Sequence, residues 1–126
     1  MTNEEQIVIK DTVGVLEEIA NIDTSKLSLK ERIIMELYLR CGFEREMTLT
    51  ELCYVLFDDF PLMSSYKKSG KRGHVYGRIE KLLAKHVITE LKNPVRFKIR
   101  DNYNTRKYIQ WILEKRYGIY VRLELI

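Results

Sequence analysis

The sequence predicts a mainly helical α+β fold, and two observations support this prediction. Apolar residues recur three or four positions apart through residues 4–86, and several of these segments begin with a residue that caps helices. From residue 87 the apolar period changes to two, which is typical of strands. The chain has 126 residues, the size of one domain, so we expect residues 1–126 to form a single domain.

The first helix is expected over residues 4–20. Glu17 and Glu18 face water in this helix, while the apolar residues share one stripe on the other side. The stretch "NIDTSK" then interrupts the helical pattern. The stripe consists of Ile7, Ile9, Val13, Leu16 and Ala20.

The second and third helices are each expected to start with a capping box, in which two side chains satisfy each other's backbone N–H groups. Ser28 and Glu31 form this pair at the start of the second helix, which Gly42 ends. Thr48 and Glu51 form the pair at the start of the third helix.

A fourth helix is expected from about Arg72 to His86, after a long turn from Asp58 to Lys71. Pro61 ends the third helix, because proline disfavours helical geometry in the residue before it. Val75, Ile79, Leu82 and Leu83 supply the helical apolar spacing.

A hairpin follows, because "VITEL" and "VRFKIR" flank the short turn "KNP". In the second strand Val95, Phe97 and Ile99 point to one face, and Arg96, Lys98 and Arg100 to the other. A fifth helix is expected to start at Asn102 or Asn104 and to end at Gly118. The alternation in "IYVRLELI" predicts a final strand.

Several classes of protein are not expected. The sequence contains no stretch of about 18 apolar residues, so we expect no membrane span. Its acidic start lacks the basic and apolar segments of a signal peptide. We therefore expect a cytoplasmic protein. Cys41 and Cys53 lie on apolar helix faces without metal-site spacing. "SGKRG" lacks the spacing of a phosphate loop, and the two histidines have no acid–base partner nearby. We therefore expect no enzymatic activity, no metal and no cofactor.

Charge is distributed unevenly along the chain. The net charge is +4, but residues 66–86 hold seven Lys or Arg and one Glu, and residues 87–126 hold nine basic and four acidic residues. Such asymmetry indicates an anionic partner, most often nucleic acid. A lysine-rich surface that is only solvated is the alternative.

The order of these elements resembles the winged helix-turn-helix superfamily over residues 28–100. "TLTELCYVLF" matches the first helix of the turn motif, "HVYGRIEKLLAKHVI" the recognition helix, and "ITELKNPVRFKI" the wing. The resemblance implies a helix in the DNA major groove and a wing against the backbone. Two features depart from the pattern: the turn is longer than three or four residues, and His86 stands where Gly usually ends the helix.

The basic residues around the start of the fourth helix are the candidate DNA contacts. The amino-terminal end of a helix carries a partial positive charge, which repels cationic side chains placed there. A bound polyanion offsets this repulsion. Gly73 and Gly77 leave one helix face without side chains. Either a DNA backbone or a neighbouring helix can approach such a face closely. We expect base-edge contacts from Arg72 and His74, phosphate contacts from Lys67, Lys68, Lys71, Arg78 and Tyr76, and wing contacts from Arg96 and Lys98.

Residues 101–126 are a candidate dimerisation element. Ile109, Ile112 and Leu113 form one apolar stripe on the fifth helix, while Tyr108 and Trp111 form a second patch. This second patch needs a neighbour, either the first helix or a second subunit, and the final strand could pair across subunits. A homodimer would place two recognition helices about 34 Å apart on DNA.

The sequence therefore favours a sequence-specific protein that binds double-stranded DNA and regulates transcription. Two alternatives stay open. One is a winged-helix module that binds an acidic protein, and the other is a DNA-binding accessory in the replication or maintenance of a plasmid or virus.

Overall fold

The fold is mainly helical α+β, as the sequence predicts. A computed structural model of the protein describes residues 7–9 and 17–123. The order of elements is β1 (Ile7–Ile9), α1 (Glu17–Ala20), α2 (Leu29–Cys41), α3 (Leu49–Leu56), the short 3-10 helix η1 (Phe60–Leu62), α4 (Ser65–Ala84), β2 (Ile88–Leu91), β3 (Arg96–Ile99), α5 (Tyr103–Tyr117) and β4 (Val121–Leu123).

Helices α2 and α3 begin directly after their capping residues, Ser28 and Thr48, as the sequence predicts. Ser28 Oγ accepts a hydrogen bond from the backbone N–H of Glu31 (3.3 Å), but the Glu31 carboxylate does not return the bond, because Arg116 binds it. At α3 the capping box is complete: Thr48 Oγ1 accepts from the N–H of Glu51 (3.1 Å), and Glu51 Oε1 accepts from the N–H of Thr48 (2.9 Å).

The prediction of one helix over residues 4–20 is wrong. Ile7–Ile9 is a strand that pairs in parallel with β4, and the helix is limited to Glu17–Ala20; residues 10–16 lie outside the described part. Three consecutive β-branched residues favour a strand once a partner strand lies beside them, and short helices are marginal by themselves. The final strand therefore has its described partner within the same chain instead of in a second subunit.

The prediction that the fourth helix starts near Arg72 is also wrong, because α4 begins seven residues earlier. Ser64 caps it, with its Oγ accepting from the N–H of Lys67 (3.3 Å). Packing outweighs the weak helix propensity of the glycines, since the Val75, Ile79 and Leu82 side chains are completely buried. The turn between α3 and α4 spans residues 57–64.

His86, which stands where glycine usually ends such a helix, closes α4 in the left-handed backbone conformation. His86 has a φ of 59°. Its N–H donates to the carbonyl of Leu83 (3.1 Å), and the N–H of Val87 donates to that of Leu82 (3.0 Å), which is the Schellman arrangement. Asn102 Nδ2 donates to the carbonyl of His86 (3.0 Å) and holds the turn in place.

The hairpin β2–β3 follows directly and is antiparallel, with Ile88 opposite Ile99 and Leu91 opposite Arg96. Phe97 and Ile99 point into the core, whereas Val95 is 45% exposed, because it precedes the paired segment. The other edge of β3 is joined to the chain before α3 by two backbone hydrogen bonds between Met47 and Phe97 (2.9 and 2.7 Å).

Helices α2, α3 and α4 contact one another, the hairpin packs on α2 and α4, and α5 packs on α2 and β4. Asn102 caps α5, since its Oδ1 accepts from the N–H of Thr105 (2.8 Å), and Gly118 ends it in the left-handed conformation.

In the described part of the chain, every helix is too short or too polar to cross a membrane.

Candidate nucleic-acid interface

One outward edge of α4 carries basic residues along its whole length. Their positions alternate four and three residues apart, which places them in a single row on a helix. The row runs over 19 residues, and its ends are about 27 Å apart, at 1.5 Å per residue step. We call it the basic stripe, and it consists of Lys67, Lys71, His74, Arg78, Lys81 and Lys85.

No ion pair among the described residues involves the basic stripe. The five ion pairs there all join other side chains. Lys71 makes a cation–π contact, with its ammonium 4.8 Å from the ring centroid of Phe57. Within the described structure, an anion can therefore approach the stripe without breaking an ion pair.

Three glycines form a bare ridge beside the stripe. Gly70, Gly73 and Gly77 lie on one face of α4, and a Cβ added to any of them would meet no atom within 4 Å. None of the three has a positive φ. No neighbouring helix of the described chain therefore explains this glycine ridge, although each glycine costs about 1 kcal/mol of stability relative to alanine.

Lys68 and Arg72 do not belong to the stripe. They point toward the opposite side of α4, where the Lys68 ammonium and the Arg72 guanidinium lie 5.7 and 5.5 Å from the centroid of the Phe60 ring. Phe60 is completely buried. Because α4 starts early, Arg72 is not in its first turn, and both residues cover η1 instead of facing outward.

Tyr76 lies on the other edge of α4 and joins the helix to the hairpin. Its hydroxyl donates to Glu90 Oε1 (3.3 Å), and its ring meets the edge of Phe97 with centroids 6.2 Å apart. The nearby negative charge of Glu90 raises the pKa of Tyr76. Tyr76 thus has a partner within the protein.

The structure does not bring the hairpin cations into the stripe. Lys98 and Arg96 alternate with Phe97, so they point away from the face that contacts α4. Arg96 Nη1 also donates to Glu46 Oε1 at 2.9 Å in an ion pair. Lys98 is half-buried on the outer face of the hairpin.

A cleft of about 710 Å³ lies between η1 and the first half of α4. Lys67, Lys71 and His74 line it together with the acidic Asp59 and the apolar Leu62 and Met63. Lys67 and His74 are exposed. The amino-terminal half of the basic stripe is therefore open to solvent, with one carboxylate at the same cleft.

The predicted site leaves out Lys81 and Lys85, the two residues at the carboxyl end of the stripe. They continue the spacing of three and four, and this periodicity was a usable signal. Lys30, in the first turn of α2, carried no such signal, because α2 contacts α4 only in the folded chain. Burial, followed by the charge of Lys85, lowers the pKa of Lys30.

The second aromatic patch lies where the sequence places it, on the outer side of α5. Tyr108 and Trp111 stack with centroids 6.2 Å apart, and the Arg116 guanidinium lies 5.1 Å from the Trp111 ring. Trp111 is 41% exposed.

A comparison of the chain with models of protein families, with curated proteins and with solved structures found no match. The surface of α4 itself is therefore the basis on which we infer a function.

Proposed function

We propose that the protein binds double-stranded DNA in a sequence-specific way and regulates transcription. In this proposal α2, α3 and α4 form a winged helix-turn-helix core, with α4 as the recognition helix and β2–β3 as the wing. The mutual contacts of the three helices and the hairpin directly after α4 support this assignment. The protein has no catalytic role in this mechanism.

The observation that supports the proposal best is the pairing of the glycine ridge with the basic stripe. An α-helix fits the major groove of B-DNA, and a ridge without side chains lets its backbone approach closely. The stripe beside the ridge then lies along the phosphates that border the groove. Because the stripe is free of ion pairs within the described residues, its charge is available to replace counterions on DNA.

The roles of the candidate residues follow from their directions. His74 is exposed beside Gly70 and Gly73, so we assign it a base-edge contact. Lys67, Lys71 and Arg78 hold phosphates, which position the protein without reading sequence. We assign Lys98 a secondary phosphate contact. The structural partners of Lys68, Arg72, Tyr76 and Arg96 make these four residues supports of the fold instead.

A homodimer is the second part of the proposal. Trp111 on α5 supports it, since its ring is 41% exposed and stacks on the half-buried Tyr108, and exposed apolar surface favours association. Two copies would bind a palindromic site, and occupancy of a promoter would exclude the polymerase.

The proposal is tested by selecting binding sites from random duplex DNA and measuring affinity for the enriched site by fluorescence anisotropy. We expect log affinity to fall with log salt by about 0.9 for each phosphate contacted. The Arg78→Ala variant should bind enriched and unrelated duplexes about 5- to 10-fold more weakly at 0.1 M salt, because it loses one phosphate contact. His74→Ala should weaken binding to the enriched site alone.

Lys26→Ala is the matched control, because it removes one exposed charge outside α4 and α5, and its affinity should equal that of the wild type. Absence of any enriched sequence, or an affinity that does not change with salt, would contradict the proposal. Tight binding to an acidic protein in that case would favour the interaction module.

A further inference from the structure

We propose that Tyr66 is a further residue that reads the DNA sequence, and that its ring packs on the 5-methyl group of a thymine in the major groove. The inference rests on the proposed function and adds one specific contact to it. It starts from the line of residues on which the glycine ridge lies.

Tyr66 stands at the amino-terminal end of the line that forms the glycine ridge. Tyr66, Gly70, Gly73 and Gly77 are four, three and four residues apart, so they follow one line along α4. This line runs along the outward side of the helix, away from its buried residues. The aromatic side chain and the bare segment therefore face the same surroundings.

The Tyr66 side chain has no role within the described fold. It is 89% exposed, and it forms no hydrogen bond or ring contact with another described residue. A single exposed aromatic ring is common on protein surfaces, so the exposure alone does not indicate a ligand. The position does, because Tyr66 is the second residue of α4, and the first residues of a recognition helix contact base edges in helix-turn-helix proteins.

The ring leaves the glycine ridge uncovered. A Cβ built on Gly70, one turn from Tyr66, would meet no atom within 4 Å, so the ring does not lie over that glycine. Side chains of a helix lean toward its amino terminus, which carries the ring past the first turn. The glycines can therefore approach the groove closely, while Tyr66 reaches bases about 6 Å further along the helix axis.

The other end of the line carries a negative charge. Glu80 is the next residue after Gly77 on this line; it is exposed and has no ion pair with a described residue. Its carboxylate repels phosphates that come close to it. The amino-terminal part of the line, which ends in Tyr66, is therefore the part that enters the groove.

The chemistry of the major groove selects thymine as the partner of the ring. Base pairs present hydrogen-bond donors and acceptors there, and thymine adds an apolar methyl group, which protein side chains read by apolar contact. A tyrosine ring offers a large and rigid apolar surface for such a contact. Tyr66 should therefore favour thymine at one position of the binding site.

The test compares duplexes that differ by one methyl group. Deoxyuridine replaces each thymine of the enriched site in turn, which removes the 5-methyl group and keeps the base pairing. At one position the wild type should bind the substituted duplex about 3- to 5-fold more weakly, the effect of burying one methyl group. Tyr66→Ala should bind the original site at least this much more weakly and should bind both duplexes equally. Fluorescence anisotropy measures all four affinities.

Two variants serve as controls. Tyr66→Phe keeps the ring, so its affinity and its response to the missing methyl group should equal those of the wild type. Leu62→Ala removes an apolar side chain that is also 89% exposed but lies on η1, off the line, and it should keep the wild-type response. Tyr66→Ala should melt no lower than the wild type, because the ring has no partner among the described residues.

The outcomes separate this contact from the proposed function. If the wild type binds DNA but no deoxyuridine weakens it, or if Tyr66→Ala shows the same loss as the wild type, the contact is refuted and the proposed function stands. A Tyr66→Phe variant without the response would also refute it, because the hydroxyl would then make the contact. A lower melting temperature of Tyr66→Ala would refute it by showing a structural role. A wild type that binds no duplex DNA would overturn the proposed function and this inference together.

Discussion

The basic residues of α4 and those of α5 have different environments, although both helices are rich in Lys and Arg. On α5, Arg106 is 1% exposed, its Nε donates to Asp101 Oδ1 (2.7 Å), and its guanidinium lies 4.3 Å from the Phe43 ring centroid. Arg116 binds both oxygens of Glu31. On the outer edge of α4, by contrast, the basic stripe has no ion pair with any described residue.

This difference shows that the number of basic residues does not measure the charge that a partner can use. Residues 87–126 carry a net +5. Of their cations, Lys92, Arg96, Arg106 and Arg116 are in ion pairs, and Arg100 contacts His86. Carboxylates thus hold four of these nine cations, whereas no described residue forms an ion pair with the basic stripe.

The largest expected effect comes from breaking the buried pair on α5. Arg106→Ala should lower the free energy of unfolding by about 3 kcal/mol, because it removes packing against Phe43 and leaves Asp101 without its partner. Urea denaturation measures this loss. At a temperature where the variant is folded, its DNA affinity should equal that of the wild type.

Arg106→Met is the matched control, since it keeps most of the volume. Arg106 Nη1 and Nη2 are buried without hydrogen-bond partners among the described residues, so their loss should offset the lost ion pair and leave stability nearly unchanged. If Arg106→Ala weakened DNA binding without changing stability, the division between α4 and α5 would be wrong.

A somewhat smaller effect is expected at high pH from Tyr38 of α2, whose hydroxyl is also buried without a hydrogen-bond partner among the described residues. Burial raises its pKa to about 12, although the charge of Arg106 acts in the opposite direction. The contribution of Tyr38 to stability should be constant below pH 10 and fall between pH 10 and 12, by about 2–3 kcal/mol in total, because this tyrosine ionises there only in the unfolded chain. Denaturation at a series of pH values measures this.

Tyr38→Phe should abolish that part of the pH dependence and should not destabilise the protein at neutral pH. An unchanged pH profile in Tyr38→Phe would show that other tyrosines cause the loss.

The smallest effect on stability is expected from a substitution in the glycine ridge of α4. Gly73→Ala should raise the free energy of unfolding by about 0.5–1 kcal/mol, because the added methyl meets no atom within 4 Å and alanine is the better helix former. Affinity for the enriched DNA site should fall, since the methyl group blocks close approach of the ridge. A variant that is more stable and binds equally well would show that the glycine ridge does not face DNA.

Sequence patterns predicted the fold best where local interactions decide it. The starts of α2 and α3, the end of α5 at Gly118 and the register of alternation in the hairpin all depend on residues within a few positions of each other. The start of α4 was misplaced, because its glycines concealed the cap at Ser64.

The candidate site was predictable only in part. Lys67, Lys71, His74 and Arg78 were identified from charge and lie on the outer edge of α4. Charge could not show that Lys68 and Arg72 turn toward Phe60, or that Arg96 pairs with Glu46, since these partners are distant in the chain or on another element.

By itself, the sequence determined most of the elements, the caps of α2 and α3, and the concentration of positive charge in the second half of the chain. These properties depend on local hydrogen bonding, apolar period and composition. Only the tertiary structure decided that Ile7–Ile9 is a strand beside β4, which arginines are held by acids, and that Lys68 and Arg72 turn toward Phe60. The physical reason is that strand pairing, ion pairing and burial are properties of residues far apart in the chain, and packing alone brings them together.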